Sequence, residues 1–527
     1  MSVINNYNDN TLVSGTSSAD SIENYGSMVT LNAGGGNDYL RTNFVASNVT
    51  MNGGAGDDII YSNGSNTSAN GGAGNDSIYN NGSNNTVDGG DGNDILRTGF
   101  VTSTNVTLNG GKGNDTIYNT GSSSVVLNGD ADNDYIRTDS ITSDVTINGG
   151  AGKDSLYTNG SSVAVNGDDG NDYLNNWRNT YGVTMNGGVG DDTLDNNGFN
   201  AVINGGAGND RIYNDSLASN DTLNGGAGND TVYNHASNVL IDGGDGNDLL
   251  WTGYDTSNNV TLNTGAGNDT VDIWSAGKNT VNVGEGSNLL RVLRDNELIV
   301  NGSDANESLL IYADREKVYH SMPDIAMTIN SSRGNDTVNG FDYARGVYSY
   351  SPNHGNDVIL GFGNQSTLKV NGTIDRWSLD GSDVVFTVGQ GSVRLKNGKG
   401  HVLNVSDNNG AVSTVFGGSY SYSQQDVLKD FMRSLNQTTL TSTADMVDEA
   451  INSCSKGKYK NLSAAVDAFI SDCRGAKGDV DKFLQEYCGI YPDNADTGAI
   501  TGWDAGGSTV KNYYNVVPLN STKNPTV

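Results

Sequence analysis

One phrase, G-G-x-G-N-D-x-(I/L), recurs through the N-terminal half of the chain at a nearly constant interval, as in Gly71-Gly72-Ala73-Gly74-Asn75-Asp76-Ser77-Ile78 and Gly205-Gly206-Ala207-Gly208-Asn209-Asp210-Arg211-Ile212. Its acidic residue stands at Asp38, Asp58, Asp76, Asp94, Asp115, Asp134, Asp154, Asp172, Asp192, Asp210, Asp230, Asp248 and Asp269, at intervals averaging about 19 residues. A unit this short cannot bury a hydrophobic face alone, so the repeats must stack on one another. A string of independent domains is excluded on the same ground, and 35% hydrophobic residues would be thin for several separate cores. Glycine reaches 72 of 527 residues, yet with 5 prolines and no three-residue period the chain is not collagen-like.

Two positions keep phase with the motif Asp. Two residues after it the side chain is always aliphatic, from Leu40, Ile60 and Ile78 through to Leu250 and Val271. Seven residues before it the position is again aliphatic, from Leu31, Met51, Ala69 and Val87 to Ile241 and Leu262. Each repeat therefore supplies two short strands that point apolar side chains inward, joined by a glycine-rich turn. Stacking turns both positions into a continuous core, and the spacing predicts a mainly β fold, a parallel β-solenoid or β-roll of about 19-residue rungs. Asn or Asp precedes every glycine turn, as at Asn32, Asn52, Asn70 and Asp88, where amides can hydrogen-bond up and down the stack. Longer and shorter intervals alternate, so the larger unit is a pair of rungs.

The turn has its own chemistry. Glycine permits positive φ and lets successive carbonyls point inward, while the Asp adds a carboxylate at a fixed place beside them. Such an oxygen-only cage suits Ca²⁺, which takes six to eight oxygens, better than Mg²⁺, which demands tight octahedral geometry. Charge agrees: residues 1–283 hold 8 Lys and Arg against 33 Asp and Glu, so this part carries −25 of the net −32. A column of carboxylates at rung spacing repels itself without counter-ions. The candidate metal ligands are the thirteen motif aspartates, with Asp336 and Asp357 in two isolated G-N-D turns further on. The alternative is a metal-free solenoid in which Gly, Asn and Asp merely make good turns. Some turns are degraded: Gly129-Asp130-Ala131-Asp132 loses two glycines, Lys153 brings a cation into one loop, and Ala33 and Thr264 replace the first glycine.

The phrase resembles the nonapeptide G-G-x-G-x-D-x-U-x of the repeats-in-toxin, or haemolysin-type calcium-binding, β-roll family, over about residues 30 to 275 with weaker echoes to 362. The resemblance implies calcium ions shared between successive turns, and a C-terminal export signal read by a type I secretion system. One departure is that the family's roll carries the nonapeptide on both sides. Here the other side is a polar turn such as Asn80-Asn81-Gly82-Ser83-Asn84.

Two outward columns accompany the core. Thr30, Thr50, Thr86 and Thr107 resemble an ice-binding face, and more simply reflect β-propensity on a solvated strand. A Tyr column, including Tyr61, Tyr79, Tyr118 and Tyr157, could stack on sugars or simply cover the sheet. The expected organisation is a solenoid over 1–283, an irregular β continuation or cap over 284–410, a linker at 411–422, a small α-helical module at 423–490 and an extended tail at 491–527. The three cysteines, Cys454, Cys473 and Cys488, leave the repeats without a disulfide framework.

Several function classes drop out. A chain this acidic repels nucleic acid. No stretch approaches the roughly 20 apolar residues of a membrane span. The N-terminal residues lack the basic and apolar regions of a cleavable secretion signal. The four His are scattered, and neither H-E-x-x-H nor G-x-S-x-G occurs, so no catalytic constellation is readable. The segment Asn494–Gly507 resembles a junction in similar repeat proteins that continue into a zinc metallopeptidase domain. The expected function is a secreted or cell-surface calcium-binding repeat protein, folding on calcium into a rigid spacer or a self-assembling surface element. The alternatives are the non-catalytic export portion of a secreted hydrolase or toxin, and a glycan-binding adhesin using the Tyr column.

Overall fold

The computed structural model describes residues 2–415 except 100–102, 140–141, 254–257, 276, 293–296, 305–306, 314–325, 332, 340–344 and 363–365. The expected helical module, the tail and all three cysteines lie outside the described residues. Two units are present, Met1–Ala326 and Met327–Val527.

The first unit is a parallel solenoid. Each rung has one longer strand that runs into the glycine turn, such as Thr50–Ala55, and one short strand that leaves it, such as Ile59–Ser62. Longer strands pair only with longer strands and short with short, so two parallel sheets face each other. The register matches the expected phase: Leu31 pairs with Met51 and Met51 with Ala69 on one sheet, and Leu40 with Ile60 and Ile60 with Ile78 on the other. Leu40, Ile60, Ile78, Leu96 and Ile117 are all 0% exposed. Burying each such side chain contributes about 1.5–3 kcal/mol, which makes the in-phase aliphatic columns the main source of stability. No helix occurs among the described residues.

The solenoid has three features beyond the two expected columns. A third buried column lies nine residues before the Asp, at Val29, Val49, Val106, Val125, Val145 and Val163, with Thr67, Asn85 and Asp221 replacing valine in some rungs. The edge opposite the glycine turns is polar and buried, and its amides bond along the stack: Asn176 Nδ2 donates to Asn196 Oδ1 at 2.7 Å, and Asn196 Nδ2 to Asn214 Oδ1 at 2.6 Å. The amides before the turns form the expected ladder as well, for example Asn148 to Asn128 and Asn166 to Asn148 at 2.7 and 2.8 Å. Parallel rungs also extend past residue 283, since Gly286–Val292 pairs with Thr270–Ile273 and with Glu307–Ala313.

The alternation of intervals arises at the polar edge. Only two residues separate Ser155–Thr158 from Ser161–Asp169, whereas seven separate Tyr173–Asn176 from Thr184–Val189. Short connections thus alternate with protruding ones.

In the second unit Asn356–Leu360 pairs in parallel with Thr337–Asn339 and with Gly391–Leu395. Antiparallel partners then end the stack: Asp383–Val388 joins Arg376–Asp380 to Gly391–Leu395, and Val402–Asp407 pairs with Gly410–Val415.

Candidate metal centre

The glycine turns place the motif aspartates in a line. Each Asp lies directly after the turn and before the short strand, so its carboxylate is drawn under the turn rather than outward. All thirteen, from Asp38 to Asp269, are between 0 and 3% exposed. The backbone N–H of each but the last donates to Oδ1 of the Asp in the next rung, as Asp38 to Asp58 at 2.7 Å, Asp58 to Asp76 at 2.6 Å and Asp154 to Asp172 at 2.8 Å. One carboxylate oxygen is therefore used to lock the rungs together.

The other oxygen is left over. Oδ2 of Asp38, Asp58, Asp76, Asp94, Asp115, Asp134, Asp154, Asp172, Asp192, Asp210, Asp230, Asp248 and Asp269 is buried without a hydrogen-bond partner. A buried carboxylate oxygen with nothing to satisfy it costs several kcal/mol unless a proton or a cation comes to it. Burial pushes these carboxyls up, to about 7 for Asp58, Asp115, Asp210 and Asp248, and to about 8 for Asp134, while the bond from the neighbouring backbone N–H pulls the other way. Neighbouring aspartates in the column push in the same direction as burial.

The first glycine of each turn keeps open the space beside that oxygen. A methyl group added at Gly71 would collide with both Asp76 Oδ2 and the carbonyl oxygen of Gly89, one rung on. The same pairing of an Asp Oδ2 with the next turn's carbonyl surrounds Gly53, Gly89, Gly110, Gly129, Gly149, Gly167, Gly187, Gly205, Gly225 and Gly243, making eleven such cradles at the motif aspartates, and it recurs at Gly15 with Asp20. Each cradle is lined by oxygens from two rungs. No group of three or more His, Cys, Asp or Glu side chains able to hold a metal occurs among the described residues. The donor set is instead one carboxylate with backbone carbonyls, a hard-oxygen set suited to calcium.

The degraded turns keep this geometry to different degrees. Asp130 and Asp132 adopt φ of 76° and 77° where other turns have glycine, so the backbone path survives the substitutions. Lys153 occupies the exposed tip, where its N–H donates to Asn133 Oδ1 at 2.7 Å, and the cradle below it is intact. Ala33 and Thr264 are different, because each sets a Cβ where the other turns have none.

One rung of this kind was not in the expected set. Asp20 is in phase, with Val13 seven residues before and Ile22 two after, and its backbone N–H donates to Asp38 Oδ1 at 2.6 Å. The aliphatic phase identifies it, although the turn Gly15-Thr16-Ser17-Ser18-Ala19 lacks the glycine phrase. Its Oδ2 is satisfied by the Thr16 N–H at 2.6 Å and the Thr16 hydroxyl at 2.9 Å. At the far end Asn288 takes the Asp position and accepts the Asp269 N–H at 2.9 Å. In the second unit Asp336 donates its N–H to Asp357 Oδ1 at 3.1 Å, but Asp357 Oδ2 accepts the Tyr348 hydroxyl at 2.6 Å.

The Tyr column proves to be packed against itself. Tyr61 and Tyr79 stack with centroids 4.8 Å apart, Arg97 lies 4.5 Å over the Tyr118 ring, and Tyr157 sits between Tyr135 and Tyr173 at 5.3 and 5.6 Å.

The family described as RTX calcium-binding nonapeptide repeat (4 copies) matches residues 46–68, 62–96, 101–121, 142–162, 195–232, 215–238 and 235–253. Repeats of this family bind calcium ions, several per repeat region. No curated protein matches the chain.

Proposed function

We propose, for a chain that carries RTX calcium-binding nonapeptide repeats, that the array is a calcium-folded structural solenoid exported to the cell exterior. The observation that carries this reading is the column of thirteen buried aspartate oxygens without partners. In the proposed sites Asp Oδ2 of one rung and the first-glycine carbonyl of the next hold the ion, at the eleven cradles from Gly53 to Gly243. The Asp38 and Asp269 positions, where Ala33 and Thr264 intrude, contribute more weakly. Asp336 and Asp357 are left out of the proposed set, since a phenol hydroxyl already occupies Asp357 Oδ2.

Calcium, when bound, supplies the positive charge that the buried carboxylates lack. The rest of the device belongs to the chain: Oδ1 locks adjacent rungs, the glycines hold the cradle open, and the aliphatic columns bury once the rungs are aligned. At a calcium concentration tenfold above Kd each site stabilises the fold by about 1.4 kcal/mol. Extracellular modules bind with Kd of about 10⁻⁴ to 10⁻³ M, so the sites fill outside a cell and stay empty in cytosol. The chain would then leave the cell unfolded and fold on arrival. The thirteen motif rungs at about 4.8 Å each give a rigid element roughly 60 Å long, suited to a spacer or a surface layer. Self-association at the cell surface is part of the same proposal.

The test is equilibrium dialysis of the purified chain against buffer holding 5–10 mM calcium, with the calcium bound per chain taken by elemental analysis as the excess inside over the dialysate. About eleven ions per chain are expected from the eleven cradles. A content of one or two would overturn the proposal.

A further inference from the structure

At the polar edge of the first unit, three successive rungs border an open groove of about 540 Å³. It is lined by four asparagines, Asn159, Asn175, Asn179 and Asn197, together with Ser161, Trp177 and Arg178. The groove exists because a seven-residue connection, 177–183, stands out between the short connections at 159–160 and 197–201. Its backbone is fixed: the Trp177 N–H donates to Thr158 O at 2.9 Å, the Thr180 hydroxyl donates to Trp177 O at 2.9 Å, and Asn179 turns the chain with φ of 69°.

The side chains are held as well. The Arg137 guanidinium lies 5.0 Å from the centre of the Trp177 ring, and Trp177 remains 42% exposed. Arg178 is drawn toward Asp215, at 3.5 Å. Asn197 is anchored on Asn176, its N–H to Oδ1 at 2.6 Å and its Nδ2 to the carbonyl at 2.9 Å. The volume falls in the range of roughly 300–1,000 Å³ that small-molecule sites occupy.

The chemistry of the lining narrows the ligand. No carboxylate lines the groove, although the surrounding repeats are strongly acidic, so it is not a further cation site. A single guanidinium already paired with Asp215 does not make an anion site either. What remains is an indole face beside four asparagines, whose amides both donate and accept, with Asn175 Nδ2 already giving one bond to the Tyr173 hydroxyl and Asn197 Nδ2 one to the Asn176 carbonyl. That combination matches the apolar face and the neighbouring hydroxyls of a pyranose ring. We propose that this groove binds a short oligosaccharide of neutral hexoses. The site is separate from the Tyr column, whose rings cover one another, and it rests on the calcium-folding reading only in requiring the solenoid to be folded.

The experiment uses the full chain in 5 mM calcium, with its β-sheet circular dichroism recorded first so that a folding failure is seen as such. Isothermal titration with maltohexaose, cellohexaose and mannohexaose, and with hexagalacturonate as the acidic counterpart, follows. At least one neutral hexaose should bind, and Trp177→Ala and Asn179→Ala should each weaken it tenfold or more while Tyr118→Ser does not. Absence of binding by every neutral probe to folded protein overturns the proposal. So does binding that Trp177→Ala leaves intact, or a preference for hexagalacturonate.

Discussion

The Tyr348 hydroxyl donates to Asp357 Oδ2 at 2.6 Å, and both groups are buried. Asp357 otherwise repeats the solenoid pattern, since its Oδ1 accepts the N–H of Asp336 one rung before. The hydroxyl therefore stands where the solenoid aspartates have an orphaned oxygen. The same turn is satisfied in the second unit by a side chain and, in our account, by a cation in the first.

Tyr348→Phe removes that donor and leaves Asp357 Oδ2 in the state of Asp38 and Asp269, since Pro352 sets a Cβ at the first-glycine position as Ala33 and Thr264 do. The variant should lose about 1–3 kcal/mol, and calcium should return only a small part of the loss because the Cβ of Pro352 narrows the site. Local stability can be followed by hydrogen exchange of Asn356–Leu360 within the full chain, with and without calcium. Exchange unchanged by the substitution would contradict the account.

An Asp→Asn substitution within the column separates the two jobs of the carboxylate. Asn288 already shows that an amide can accept the preceding N–H. Asp154→Asn should keep the rung lock, begin to fold at lower calcium than the parent because a buried charge is gone, and gain less from saturating calcium. Its calcium content should fall by about one ion, the contribution of a single cradle. Relative to the parent, its thermal melt should be raised at calcium just sufficient to fold the chain and lowered at saturating calcium.

The first-glycine position can be tested both ways. Gly71→Ala should block one cradle and lower melting in calcium, because its Cβ would meet Asp76 Oδ2 and the Gly89 carbonyl. Ala33→Gly should open a cradle at Asp38, whose Oδ2 is orphaned, and raise the calcium content by one ion while costing up to about 1 kcal/mol in backbone entropy. Equal calcium content in both variants and the parent would remove the cradles from the account.

In the second unit two aspartates set opposite pH limits. Burial, opposed by the bonds from the Tyr348 hydroxyl and the Asp336 N–H, pushes Asp357 up to about 7, with the charge of Asp336 adding to the rise. The folded state therefore binds the extra proton, and this stability is present below pH 4 and lost as pH rises toward 7. Asp383 is pulled down to about 2, against desolvation, by Lys396, the Asn397 N–H and Arg394, which also pairs with Asp380. Its contribution is present above pH 4 and lost as pH falls toward 2. Hydrogen exchange of Asp383–Val388 in the full chain, corrected for intrinsic rates, should be slowest near pH 4 and Asp383→Asn should flatten the acid side only.

Much of this architecture is legible in the residues because a solenoid repeats each decision. Leu40, Ile60 and Ile78 had to share one face once their interval was constant, and the glycine phrase marked the turn edge. The opposite edge was less legible. Its buried Asn196 and Asn214 look like ordinary loop polar residues, because only the folded stack shows that they bond along its axis. Asp357 shows a related effect: the turn that contains it matches the motif, and the donor to its Oδ2, Tyr348, lies nine residues earlier on another strand. Asp20 escaped because its turn uses Thr16 where other turns use glycine, although its aliphatic phase is intact.

The central claim is that the orphaned aspartate column folds on calcium. Circular dichroism of chelator-treated full-length protein, titrated with Ca²⁺ and separately with Mg²⁺, tests it most directly. The account predicts a weak β signal in chelator, a cooperative rise with calcium in the 10⁻⁴ to 10⁻³ M range, and little response to magnesium. A full β signal in chelator that calcium does not change would contradict it and leave the glycine turns as structure alone.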